Sequence, residues 1–176
     1  VIRHDPRAAS PEGPDSWRLF AAKDGLDIAW APRILQTRDG TIWVVGARGA
    51  DAVNRFDGRQ WTTLRLYDLG GNNHNPSILE TRDGTVWVGG AGGPEASLHA
   101  YRDGVWTVYR RPDVPVPSTF TEALMQASDG ALWLAGRGQE ALRLDYATPR
   151  WTSYEGLSFH CQTRDGSYWF LSSDTT

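Results

Sequence analysis

"ILETRDGTVWVGG", residues 78–90, recurs along the chain in three further versions. They are "ILQTRDGTIWVVG" at 34–46, "LMQASDGALWLAG" at 124–136 and "HCQTRDGSYWFLS" at 160–172. In each copy an Asp-Gly pair (Asp39-Gly40, Asp83-Gly84, Asp129-Gly130, Asp165-Gly166) leads into a tryptophan: Trp43, Trp87, Trp133 and Trp169. A second column runs through "WRLF", "WTTL", "WTVY" and "WTSY" at Trp17, Trp61, Trp106 and Trp151, spaced by 44 or 45 residues. Of the nine tryptophans only Trp30 stands outside both columns, so the repeat governs most of the chain's largest apolar side chains. A fixed period of this size marks a repeat architecture.

One period reads as four strands. Two short β-rich runs flank an Asp-Gly pair, a strong hairpin signal because both residues tolerate positive φ. A Gly-rich stretch, "SLHAY", a second Asp-Gly and "WTVYRR" complete the period, and the four strands are labelled A to D. In the third period "DYATPRW" replaces the second turn, its proline marking the reversal. Gly and Pro interrupt every long stretch and no window has helical periodicity. Four antiparallel strands repeating at about 45 residues predict an all-β chain, a partial or small β-propeller of about four blades.

The expected organisation is a flexible lead-in over 1–16, with two closely spaced prolines, and one propeller domain over 17–172. Within it lie a lone D strand at 17–22, blades at 33–66, 77–111 and 123–155, and a partial blade at 157–172. Unpaired edges invite association. The ends are therefore expected to belong to a longer propeller, to close a small four-bladed ring, or to self-associate through the open terminal blades. The missing initiator Met and the ending "LSSDTT" favour a slice of something longer. Both tryptophan columns are expected in blade-to-blade core. Each indole buries about 150 to 250 Å², an upper estimate of about 4 to 6 kcal/mol. The eight Asp-Gly residues are explained by turn chemistry.

Composition excludes several classes. Eighteen basic against 21 acidic residues, net charge -3, give no electrostatic case for nucleic acid. Apolar runs are too short for direct membrane insertion. The single cysteine, Cys161, forms no internal disulfide, anchors no cysteine zinc site, and is expected as a buried thiol where Leu35, Leu79 and Met125 stand in the other copies.

The pattern of apolar pair, Asp-Gly and Trp-Val-Gly-Gly resembles the two-component regulator propeller repeat over 34–46, 78–90, 124–136 and 160–172. Gly25-Leu26 and Gly156-Leu157 stand where that family often has Gly-Leu-Pro before strand A. The family's Gly-Thr after the tryptophan is here Gly46-Ala47, Gly89-Gly90 and Gly136-Arg137. The resemblance implies an extracytoplasmic sensor region of a bacterial histidine kinase or hybrid system, periplasmic or extracellular. In carbohydrate-responsive members the ligand is an oligosaccharide, so a non-enzymatic ligand-sensing or binding module is implied here. A weaker likeness to the sialidase Asp-box fails by one residue between Asp and Gly.

Loops on a rigid scaffold concentrate binding residues. Counting nine residues back from each Asp-Gly aspartate aligns Trp30, His74, Phe120 and Gly156 on the D-to-A loops. Three rings around one axis offer stacking faces for a glycan or another small molecule, with Asn72, Asn73, Asn75 and Glu122 as hydrogen-bonding neighbours. Arg48, Glu95 and Arg137, on the B-to-C loops, are expected on the same side. The alternative is that the rings plug the channel mouth and the chain is a protein-interaction scaffold. A lyase or glycosidase assembled from separated blades is a third reading. It has weak support: no catalytic residues, no metal ligands and no cofactor are assigned, because the four histidines are not at metal-ligand spacing and no serine sits in a nucleophile elbow.

Overall fold

The computed structural model describes residues 1–10, 12–27, 30–47, 52–65, 77–89, 97–110, 112–115, 121–136, 140–145 and 148–172, with the side chains of 30–32, 47, 65 and 122 left aside. Among these residues there are sixteen strands, two 3-10 turns and no α-helix. Three complete blades occupy the middle. Blade 1 comprises β3 (Trp30–Gln36), β4 (Ile42–Ala47), β5 (Ala52–Phe56) and β6 (Trp61–Arg65). Blade 2 comprises β7 (Ser77–Glu80), β8 (Val86–Gly89), β9 (Ser97–Arg102) and β10 (Val105–Arg110). Blade 3 comprises β11 (Thr121–Gln126), β12 (Leu132–Gly136), β13 (Glu140–Asp145) and β14 (Arg150–Glu155). Each is an antiparallel meander in the order A-B-C-D. The fold is a partial β-propeller.

The two ends differ from the expectation. Residues 1–16 are not simply a lead-in: β1 (Ile2–His4) pairs with β2 (Trp17–Leu19), His4 opposite Trp17 and Ile2 opposite Leu19. The D strand at the start is thus shorter than 17–22, and a 3-10 turn at Ala22–Asp24 follows it. Its C-strand partner escapes a sequence reading because it lies beyond an intervening loop instead of a tight turn. At the other end, β15 (Leu157–Gln162) and β16 (Tyr168–Ser172) form an isolated pair.

Repeated local chemistry builds the A–B turns of blades 1 and 2. Thr37 Oγ1 donates to Asp39 Oδ1 at 2.6 Å, while Asp39 accepts from the Thr41 amide and hydroxyl, both at 3.0 Å. The Trp43 indole N–H then donates to Thr37 Oγ1 at 3.3 Å. Thr81, Asp83, Thr85 and Trp87 repeat the arrangement in blade 2. The Asp-Gly expectation needs one refinement. In the A–B turns only the glycine has positive φ, as at Gly40 and Gly84, because the aspartate serves as side-chain acceptor. Two consecutive positive φ values, the signature of a type I′ hairpin, occur at Asp103 and Gly104 in the C–D turn of blade 2.

Packing between blades forms the core. Trp43, Val45 and Val53 meet Val86 and Val88 of the next blade. Trp87 and Leu98 meet Leu132, Leu134 and Leu142. Trp133 stacks on Phe159 of the terminal pair with ring centroids 5.0 Å apart. Phe20 and Leu26 cover Val44 and Trp61. Trp17 and Trp169 break the columns: they are 54% and 59% exposed, because among the described residues no blade packs over them. Cys161 is half-buried instead of sealed, since it lies opposite Trp169 on that same strand pair. Near the axis the blades approach closely. Ser77 Oγ donates to the Thr121 carbonyl at 2.9 Å, and a Cβ on Gly89 would meet the Thr121 methyl at 2.8 Å, so this glycine is a condition of the seam.

Candidate functional site

Each blade has two ends, one at the A–B and C–D turns and the other where the A strands start and the B strands finish. The starts of the A strands face the ends of the B strands in equivalent pairs: Trp30 with Ala47, Ser77 with Gly89, Thr121 with Gly136. The backbone thus puts Trp30 at the beginning of β3 and Glu122 at a β-bulge in β11, between Thr121 and Ala123. His74, Asn72, Asn73, Asn75, Phe120, Arg48, Glu95 and Arg137 lie outside the described residues.

The opposite rim, at the A–B turns, is described in detail. Between blades 1 and 2 it opens into a cleft of about 520 Å³ walled by Arg38, Asp39, Arg55, Arg82, Asp83 and Arg102. Arg38, Arg82 and Arg102 are engaged there, whereas the buried Arg55 Nε has no hydrogen bond among the described residues. Arg38 donates its amide to Glu80 Oε2 at 3.0 Å, its Nε to Glu80 Oε1 at 3.2 Å, and its terminal nitrogens to the carbonyls of Thr81 and Arg82. Arg82 repeats this one blade on, with its amide on Gln126 Oε1 at 2.7 Å and its guanidinium on the carbonyls of Ala127 and Ser128. In the third copy serine replaces arginine, and the Ser128 amide donates to Gln162 Oε1 at 2.8 Å while the Ser128 hydroxyl accepts from Gln162 Nε2 at 3.0 Å. The "RDG" arginine is therefore a latch between consecutive blades. The 44-residue spacing of Arg38 and Arg82 was legible in the sequence; that each grips the following copy was not.

The acids of this rim act as acceptors. The Thr37 hydroxyl and the Thr41 amide hold the Asp39 carboxyl below its ordinary value of 3.8. Burial opposes charge on Asp83, but bonds from Thr81 and Thr85 and the Arg102 guanidinium at 3.0 Å outweigh it and leave that carboxyl lowered as well. A carboxylate held ionised accepts hydrogen bonds and does not serve as a proton donor at neutral pH. No cluster of three or more metal-ligating side chains occurs among the described residues, and no helix there is long and apolar enough to cross a membrane.

Comparison with known proteins places this geometry. Residues 69–92 match the two component regulator propeller family. No curated protein sequence matches the chain. Among solved structures, the extracellular domain of the hybrid two component system BT3049 from B. thetaiotaomicron aligns with TM-score 0.63 at 18% identity, over 79% of this chain and 20% of that one. The extracellular domain of the one component system BT4673 from B. thetaiotaomicron aligns with TM-score 0.60 at 19% identity, over 80% of this chain and 19% of that one. YCF48, in a structure bound to D1 peptide, aligns with TM-score 0.55 at 17% identity, over 89% of this chain and 51% of its own. At such identities the likeness is one of fold, and the chain spans about a fifth of the two extracellular domains.

Proposed function

For a partial propeller that carries the two component regulator propeller repeat, we propose the role of a ligand-sensing or ligand-binding segment of a bacterial signalling protein, non-enzymatic and outside the cytoplasm. The ligand class proposed is carbohydrate. The repeat match at 69–92 is the observation that carries this reading. The fold shared with two extracellular domains of signalling systems supports it. The engagement of Arg38 and Arg82 at the A–B rim supports it from another side, because their guanidinium groups already grip the following blade.

The binding residues proposed are therefore those of the D-to-A and B-to-C rim. Trp30, His74 and Phe120 would offer ring faces to a sugar, and Asn72, Asn75, Glu122, Arg48 and Arg137 would supply hydrogen bonds to its hydroxyls. Rings on equivalent loops can address successive units of an oligosaccharide at low entropic cost, since an indole or phenyl ring has few torsions to fix.

Thermal unfolding with a panel of neutral and acidic oligosaccharides tests this. A ligand at about one hundred times its dissociation constant stabilises the folded state by about 2.7 kcal/mol. The double variant Trp30→Ala, Phe120→Ala is expected to lose that shift while unfolding normally without ligand. An unchanged shift in the double variant moves the site elsewhere, and a panel without any shift removes the carbohydrate reading.

A further inference from the structure

In each complete blade one C-strand residue stands directly beside the B-strand tryptophan: Arg55 beside Trp43, Ala100 beside Trp87, Arg143 beside Trp133. The two arginines are used differently. Arg143 donates to the turn aspartate Asp129 at 2.9 Å and to Asp145 at 3.3 Å. Arg55 makes no hydrogen bond and no ion pair among the described residues, although Asp39 and Asp57 hold the same two places in its blade. We propose that Arg55 anchors a binding site for a small carboxylate, in the cleft between blades 1 and 2 at the A–B turns.

The sequence of the turns explains why Arg55 is left over. Two threonines stand on either side of the blade 1 turn, and the oxygens of Asp39 accept from the Thr37 hydroxyl at 2.6 Å and from the Thr41 amide and hydroxyl at 3.0 Å. In blade 3 Ala127 and Ala131 hold those positions. Asp129 Oδ2 then has no threonine hydroxyl in its own turn to accept from, and it takes Arg143 and the Tyr168 hydroxyl instead. Asp57 is occupied as well, by the amides of Arg59 at 2.8 Å and Gln60 at 2.9 Å. The Thr37 hydroxyl is the main cause that lowers the Asp39 carboxyl and the Gln60 amide the main cause for Asp57, while the Arg55 charge acts on both through space. What remains for the guanidinium is the rings of Trp43 and Tyr101, whose centroids lie 5.9 and 6.0 Å from its central carbon. Aromatic rings attract the charge but give its N–H donors no lone-pair acceptor.

The surrounding cleft has room for that acceptor. Arg55 lines a space of about 520 Å³ together with Trp43, Val86 and Tyr101, which supply an apolar wall. This lies within the usual range of small-molecule sites, about 300 to 1,000 Å³. The Arg55 Nε is sealed from solvent, so a ligand meets the terminal nitrogens. Every other arginine among the described lining residues already has acceptors: Arg38 on Glu80, Arg82 on the carbonyls of Ala127 and Ser128, Arg102 on Asp83. The lining acids are likewise served, Asp39 and Asp83 by threonines, Glu80 by Arg38, and Asp103 by Arg102 at 3.5 Å. Four arginines and four carboxylates line the cleft, so its formal charge is zero and no negative surplus bars an anion. The one unanswered donor set is a guanidinium, whose planar fork matches a carboxylate in two parallel hydrogen bonds. The ligand class that follows is a small carboxylate with a ring body, its carboxyl on Arg55 and its ring along Tyr101 and Val86. An aromatic acid and a uronic acid share this chemistry. The site has no residue in common with the D-to-A rim, so its test does not depend on the glycan reading.

Isothermal titration of the chain with benzoate, galacturonate and galactose tests the site and separates the two sources. Binding of either acid supports it, and the tighter of the two identifies the source. Galactose, which has the ring of galacturonate without the carboxyl, is expected to bind at least about tenfold more weakly than galacturonate, as loss of a charge-assisted contact predicts. Arg55→Met keeps an unbranched chain against Trp43 and removes the unpaired donors. It is expected to weaken both acids about tenfold or more, with near-ultraviolet circular dichroism establishing that the blades are folded. Thr41→Ala copies blade 3, releases Asp39 Oδ2 for Arg55, and is expected to weaken both acids with the arginine still in place. Three results overturn the idea: no saturable binding of either acid, galactose bound as tightly as galacturonate, or an acid affinity that Arg55→Met or Thr41→Ala leaves unchanged.

Discussion

Trp87 and Trp169 occupy the same place in two copies of one motif, yet the first is 2% exposed and the second 59%. Both follow an Asp-Gly turn, and in both turns a threonine hydroxyl donates to the aspartate at 2.6 to 2.7 Å. What separates them is a neighbour. Trp87 is covered by Leu132, Leu134 and Leu142 of blade 3, while among the described residues no further strand packs on the outer side of β15–β16. The motif makes a turn and aims an indole; burial of that indole is a property of the seam.

The strongest way to break this comparison is to remove both indoles in turn. Trp87→Ala should cost about 3 to 5 kcal/mol, as large-to-small changes in a packed core do. Trp169→Ala, measured under conditions where the chain is monomeric, should cost less than about 1 kcal/mol. Chemical denaturation of the two variants checks it, and equal losses would mean that the turn and not the seam sets the energy.

Histidines sharpen the same contrast. His99 lies in the middle blade, 1% exposed and edge-on to Trp106, whereas His4 and His160 are exposed on the half-blades. Burial, helped by the nearby Arg110 charge, pushes the His99 ring down from 6.5 to about 4. The carbonyl of its cross-strand partner Val88 favours the charged ring slightly, but neither ring nitrogen makes a hydrogen bond of good geometry. The folded chain holds this ring neutral down to about pH 4, while the unfolded chain takes up a proton near 6.5. Stability from this group is therefore fully present above pH 6.5 and is lost as pH falls towards 4, by up to about 3 kcal/mol. Unfolding free energies between pH 7 and 4 should show that slope in the parent chain and much less of it in His99→Phe.

The smallest expected effect concerns blade 3, where the motif reads "ASDG". Ala127 stands where Thr37 and Thr81 accept the indole N–H, and the buried Trp133 Nε1 makes no hydrogen bond of good geometry among the described residues. Ala127→Thr should restore the acceptor and raise stability by about 1 kcal/mol. A rise in denaturation midpoint with unchanged slope is the readout, and no rise would mean that the fully buried site has no room for the hydroxyl.

Much of the fold was legible because its signals are local. The Asp-Gly turns and the four-stranded period follow from residues a few positions apart. Strand β1 was not, because "IRH" is three residues long and separated from Trp17 by a proline-bearing loop. The proposed binding column, Trp30, His74 and Phe120, rests on sequence alignment alone, since His74 and Phe120 lie outside the described residues. The arginine latch was visible as a repeated residue but not as a contact, since its partner lies 42 to 46 residues further on.

By itself the sequence determined the period and the turns, and the aim of Trp43 and Trp87, because hydrogen bonds within six residues fix them. Only the tertiary structure decided which indoles are sealed, which arginines grip a neighbouring blade and which faces stay open. Those outcomes depend on what stands across a seam from each blade, and no single copy of the motif contains that information.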